Sequence, residues 1–167
     1  MPKHLMPKGD GFNFPAVVGT TWVYEENGTN EVTLTISKVE TKDGAKLVTA
    51  ERVEVNGVRK HYMTWSVSEK GIFLVSELGS TYPVPWCICK LPHKEGDTWK
   101  TEGHGGDMTA GPVEKAKTAA GEIRAYRVDW DLGPGNTVHY WYAPGFGLVR
   151  QQGSPTWALK SFTKGKE

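Results

Sequence analysis

The chain has 167 residues, 20 basic against 19 acidic, and 38% of it is hydrophobic. That length suits one well-cored domain better than two half-sized ones. A net charge of +1 excludes a general electrostatic pull toward nucleic acid or an anionic membrane. No run reaches the roughly 20 apolar residues of a membrane helix.

Residues 1–11 read as an N-terminal tail. Met1-Pro-Lys-His-Leu-Met-Pro-Lys8 lacks the apolar core of a signal peptide. As written, the chain is therefore expected to be soluble and cytoplasmic. An extracytoplasmic location follows only if the natural chain begins earlier.

Four turn signals then follow: Asn27-Gly28, Asp43-Gly44, Asn56-Gly57 and Lys70-Gly71. Asn-Gly and Asp-Gly tolerate the positive φ that tight hairpins need. Between them lie β-rich runs over residues 31–39 and 58–67. Val32, Leu34 and Ile36 alternate with Thr33, Thr35 and Ser37, the period of a half-buried strand. Met63, Trp65 and Val67 share a face in the same way, as do Tyr126, Val128 and Trp130. Residues 114–120 contain helix formers, but the run is short and ends at Gly121. The fold predicted is all-β, an antiparallel meander.

The second half echoes the first. Pro15, Gly19, Thr21, Trp22 and Glu25 recur with the same spacing as Pro92, Gly96, Thr98, Trp99 and Glu102. Gly44 answers Gly121, and His61-Tyr62 answers His139-Tyr140. This predicts a single β domain over residues 12–163 made of two copies, 12–88 and 89–163, followed by a short tail over 164–167. Each copy would supply about five strands, and the two would share a core as a barrel or half-barrel, or as a two-sheet sandwich.

Gly96-Asp97-Thr98-Trp99 and the run from Tyr140 to Val149, Tyr-Trp-Tyr-Ala-Pro-Gly-Phe-Gly-Leu-Val, resemble a group of uncharacterised bacterial β-rich proteins. Those proteins share a Gly-x-x-Trp entry strand and a late Tyr-Trp-Tyr-Ala-Pro-Gly-x-Gly-Leu-Val signature. The block from Pro85 to Pro92 is similar to theirs as well. The resemblance covers the chain from Phe14 to Phe162 and carries over no catalytic residue. It implies that export signals are common in the group. Physically, Pro144-Gly145-Phe146-Gly147 is a turn between two strands.

Candidate chemistry is sparse. By alternation His61 shares a face with Met63 and Trp65, and His139 shares one with Trp141. If both faces line an interior, His61, Met63, Trp65, His139 and Trp141 form a ligand-binding set, with the histidines able to carry a proton near neutral pH. Cys87 and Cys89 lie on one side of a strand and, with His93 and His104, make the only candidate zinc set, although the spacing matches no standard site. Small apolar core cysteines are the plainer reading, so no metal and no cofactor is assigned. Asp129 and Asp131 read as a solvated face. No catalytic residue is assigned. The abundant tryptophans suit a cavity that takes a small apolar or lipid-like ligand. The function expected first is a non-enzymatic binding module. A structural or interaction domain, forming a homodimer through sheet edges, is the alternative. An enzyme using His61 or His139 in a pocket comes third.

Overall fold

The structure, a computed structural model, describes residues 12–167. The expected tail over residues 1–11 lies outside the described residues. The hairpins form where the turn chemistry dictates. Asn27-Gly28 holds φ at 52° and 76°, and Asp43-Gly44 at 52° and 77°. Positive φ at both central residues is the type I′ geometry, whose twist matches that of the flanking strands. A third such turn, Leu78-Gly79 (φ 49° and 82°), carries leucine where asparagine or aspartate is usual. It offered no turn signal in the sequence.

The strands are β1 (Thr21–Glu26), β2 (Asn30–Lys42), β3 (Ala45–Val53), β4 (Arg59–Ser68), β5 (Gly71–Glu77), β6 (Ser80–Lys90), β7 (Thr98–Lys100), β8 (Asp107–Thr118), β9 (Gly121–Asp131), β10 (Thr137–Ala143), β11 (Gly147–Gln152) and β12 (Trp157–Thr163). They form one 12-stranded sheet in the order β6-β5-β4-β3-β2-β1-β12-β11-β10-β9-β8-β7. Every neighbouring pair is antiparallel. There are thus six strands on each side of the β1–β12 junction rather than about five, because the three-residue β7 and the unsignalled Leu78-Gly79 hairpin each add one. No helix occurs among the described residues, and residues 114–118 lie in β8.

The sheet curls until its two edges approach, but β6 and β7 share no ladder, so the barrel is not closed. Side chains bridge the seam instead. The Trp99 indole donates to the Cys87 carbonyl at 2.9 Å, Lys90 lies 3.9 Å from Asp97, and Trp86 packs on Trp130 with ring centres 4.7 Å apart.

The alternating residues fill the concave side. Val32, Leu34 and Ile36 are buried, as are Val48, Ala50 and Val128. One end of this interior is stoppered by the segment leading into β1. Phe14 packs on Trp65 at 5.3 Å and on Trp22 at 6.4 Å, and Phe12 packs on Tyr126 at 5.8 Å. The backbone of Asn13 accepts a bond from Gly145 at 2.6 Å. Gly147 has φ 79°, and a Cβ there would stand 3.2 Å from the Phe14 ring. The glycines of the Pro-Gly-Phe-Gly turn therefore serve both its bend and the seating of this stopper. Trp22 and Tyr24 complete the join by donating to the carbonyls of Phe146 (2.6 Å) and Leu148 (2.7 Å), which satisfies the polar ends of two buried aromatics.

Phe14→Ala should therefore cost about 3–5 kcal/mol, the usual range for deleting a buried phenylalanine. Urea unfolding measures it. A loss well under 1 kcal/mol would show that the segment over residues 12–20 is not part of the core.

Candidate functional site

The end of the interior opposite Phe14 is open. A cavity of about 430 Å³ lies there on the concave side. Its floor is apolar, with Phe14, Trp22, Trp65, Leu74 and Leu148 contributing. Its mouth lies among the hairpin ends, where Tyr62, Glu77, Tyr82, His104, Tyr140 and Gln151 contribute. Aromatic rings continue around this mouth. Tyr62 stacks on Trp157 at 5.8 Å and Trp157 on Tyr24 at 5.2 Å. Across the mouth, His104 stacks on Trp86 at 4.8 Å and meets Tyr82 edge-on at 4.6 Å. The Trp157 and Trp130 indoles are satisfied by Glu26 (2.7 Å) and the Gly105 carbonyl (3.0 Å). The Trp86 indole N–H is buried without an acceptor among the described residues.

Two β-bulges decide which polar groups face inward. Between β3 and β4 the register steps from Ala50–Met63 to Glu51–His61, leaving Tyr62 as the extra residue. Between β4 and β5 it steps from Trp65–Leu74 to Thr64–Ser76, leaving Val75 extra. A bulge reverses the facing of the residues beyond it. Tyr62 and Glu77 therefore turn into the cavity, while His61 and Ser76 turn out. Glu77 then accepts a bond from the Tyr82 hydroxyl at 2.5 Å.

The residues predicted as a ligand set are divided by this geometry. Met63 and Trp65 line the cavity; His61, His139 and Trp141 do not. His61 lies on the outer face, its Nε2 3.0 Å from Thr64 Oγ1 and 3.3 Å from Ser76 Oγ, and its Nδ1 accepts from the Gly79 amide at 2.8 Å. The bulge at Tyr62 defeats the simple alternation that placed it inside. On β10 it is Tyr140 and Tyr142 that face inward, paired with Val128 and Tyr126 of β9. His139 and Trp141 therefore face out. His139 Nδ1 sits 2.5 Å from Asp129 Oδ1, Arg127 Nε is 3.1 Å from the same carboxylate oxygen, and the Trp141 indole donates to Glu114 at 2.9 Å beneath the Arg150 guanidinium. The two histidines do not meet, since β4 and β10 are separated by five strands in the sheet order.

The cysteine–histidine set is likewise dispersed. Cys89 is buried and Cys87 half-buried on β6. His93 bonds the Gly111 carbonyl at 2.8 Å and stacks on Tyr126 at 4.7 Å, while His104 stands at the cavity mouth. Among the described residues no group of three or more His, Cys, Asp or Glu is placed to hold a metal ion. Glu77, Tyr62 and Tyr140 escaped the sequence reading. For Tyr140 a signal existed: β9 shows an unambiguous inward face, and its pairing with β10 dictates the rest.

Burial dominates the acid–base character of the interior. It pushes the Tyr82 and Tyr140 phenols up to about 12, with the Glu77 carboxylate adding to both. Tyr62 is raised further by the same two causes, in the same order. Tyr24 and Tyr142 are held well above the usual phenol range, again chiefly by burial. Burial also pushes the Cys87 thiol up to about 11 and the Cys89 thiol up to about 12. Near neutral pH these groups are protonated, so the phenols are hydrogen-bond donors and the thiols are poor nucleophiles.

Comparison with known proteins speaks to the fold. No protein-family model matches the chain, and no curated protein matches it. Two crystal structures do. A candidate exported protein with a YmcC-like fold from Bacteroides fragilis superposes with a TM-score of 0.60 at 16% identity, covering 92% of this chain and 99% of that one. A candidate lipoprotein from Parabacteroides distasonis superposes with a TM-score of 0.50 at 18% identity, covering 91% and 98%. At such identities the likeness is one of fold.

The raised phenols and thiols predict alkaline lability. Their folded pKa values exceed the unfolded ones, so their contribution is complete below about pH 8.5, the unperturbed cysteine value. It is lost as pH rises from there through about 12, because the unfolded chain releases its protons first. Urea midpoints should fall steadily from pH 8.5 upward, and tyrosinate absorbance should appear later in native than in unfolded protein. Coincident native and unfolded titrations would contradict the burial of these phenols.

Proposed function

We propose that the protein is a non-enzymatic binding module that takes a small, largely apolar ligand into the concave cavity. The carrying observation is the cavity itself, about 430 Å³, within the usual size range of ligand sites. Its apolar floor and few convergent polar groups are the ordinary make-up of such a site. Trp86 adds a buried donor that no acceptor among the described residues satisfies.

The competing readings have less support. Sheet-edge dimerisation would use β6 or β7, but Pro83 and Pro85 stand in β6 and remove donors from that edge. An enzyme built on His61 or His139 would need one of them in the cavity, and neither lines it. The two halves are read as copies of one meander, each running the same way round the ring, with the β12–β1 junction paired and the β6–β7 junction open. The two structural neighbours, a candidate exported protein and a candidate lipoprotein, favour an extracytoplasmic site of action.

The test is binding of the apolar fluorophore N-phenyl-1-naphthylamine. Wild-type protein should bind it stoichiometrically with enhanced fluorescence. Met63→Trp, which places bulk in the cavity wall, should weaken binding at least tenfold while leaving the thermal unfolding temperature nearly unchanged. Equal binding by the two proteins would sink the proposal.

A further inference from the structure

Among the described residues Glu77 is the one acidic side chain lining the cavity, and no lysine or arginine lines it. Among the described residues Glu77 forms no ion pair. Arg52, whose charge reaches Tyr62, does not pair with it either. Its hydrogen-bond partner is the neutral Tyr82 hydroxyl, at 2.5 Å. A carboxylate accepts about four hydrogen bonds, and the Tyr82 hydroxyl supplies the side-chain one that Glu77 receives among the described residues. The Val75 bulge is what turns this charge inward, since regular alternation would present Ser76 instead. A ligand that covers this carboxylate without bringing a cation removes it from water uncompensated, which is costly.

We infer that the ligand carries a cationic head, an alkylated ammonium, seated between the Glu77 carboxylate and the aromatic rings at the mouth, with its apolar body toward Trp22 and Trp65; this rests on the concave cavity being the binding site. The rings supply what such a head needs. Indole and phenol faces attract cations through their quadrupoles, most strongly for tryptophan and when the cation is desolvated. Trp157 and Tyr62 stand on one side of the mouth, and Trp86 and Tyr82 on the other. A quaternary ammonium, weakly hydrated and without donors, suits a mouth walled by such rings, whose mutual stacking leaves it the cavity-facing parts of Tyr62, Trp86, Tyr82 and Trp157. A carboxylate or phosphate head would meet the Glu77 charge, and among the described lining residues only the His104 imidazole, stacked on Trp86, could offset it. A wholly neutral ligand would cover Glu77 and leave its charge unpaired.

The test compares three probes of similar size by titration calorimetry: benzyltrimethylammonium, its uncharged carbon isostere neopentylbenzene, and 3-phenylpropanoate. Wild-type protein should bind the cation at least tenfold more tightly than the isostere, and the anion most weakly. Glu77→Gln should lower the affinity for the cation at least fivefold and should not lower that for the isostere, which no longer covers an unpaired charge. If that variant fails to fold, the ranking of the three probes on wild-type protein still decides. Equal or tighter binding of the isostere or the anion would overturn the inference and leave the binding module intact. So would absence of cation binding in a protein that still takes up N-phenyl-1-naphthylamine. Failure of all four probes would overturn the binding reading and this inference with it.

Discussion

A sheet of twelve strands that curls until its edges approach encloses more space than its inward side chains can fill. Eight strands give an interior that side chains just occupy, and larger sheets leave room or must flatten. Here one end of the surplus is filled by a segment from outside the sheet. Phe12 and Phe14 enter beneath the β10–β11 turn and pack on Tyr126, Trp22 and Trp65. The other end has no such stopper among the described residues, and that asymmetry creates a cavity with a floor and a mouth. The seam between β6 and β7 belongs to the same solution. The sheet meets itself through the Trp99 indole and a tryptophan pair rather than through a ladder.

The inner and outer faces divide the chemistry. Outside, Asp129, Arg127, Glu114 and His139 pair with one another across β8, β9 and β10, and Arg150 covers the Trp141 ring. These pairs lie at a partly exposed surface, where such pairs contribute little stability. Inside, Glu77 is the acidic side chain among the described lining residues, beside phenols, indoles and the His104 imidazole. The same residue types thus pair with one another on the outer face, while on the inner face Glu77 has no ion-pair partner among the described residues.

Much of this was legible in the sequence, and the part that was not has a physical reason. Asn-Gly and Asp-Gly located two hairpins because only a few residue types tolerate their φ angles. Strict alternation placed Val32, Leu34 and Ile36 in the core, and Met63 and Trp65 on the cavity wall. The Leu78-Gly79 hairpin was missed because leucine is a poor occupant of its position, at φ 49°. His61 was placed inside because alternation contains no warning of a bulge; the single extra residue at Tyr62 exchanges the two faces. The same event at Val75 hid Glu77. For His139 and Trp141 the ambiguity was one of phase, because Tyr140 and Tyr142 are as aromatic as Trp141. Only the pairing of β10 with β9 chooses between them.

The division between inside and outside also offers the most direct measurement of ligand location. The chain has seven tryptophans, and each indole N–H gives its own signal in a nitrogen–proton correlation spectrum. Trp22, Trp65, Trp86, Trp130 and Trp157 line the cavity, whereas Trp99 and Trp141 do not. With N-phenyl-1-naphthylamine added in increments, signals from the first group should move in saturable fashion. Those of Trp99 and Trp141 should stay in place. Shifts centred on Trp141, or no shift at any cavity tryptophan, would contradict a binding site on the concave face.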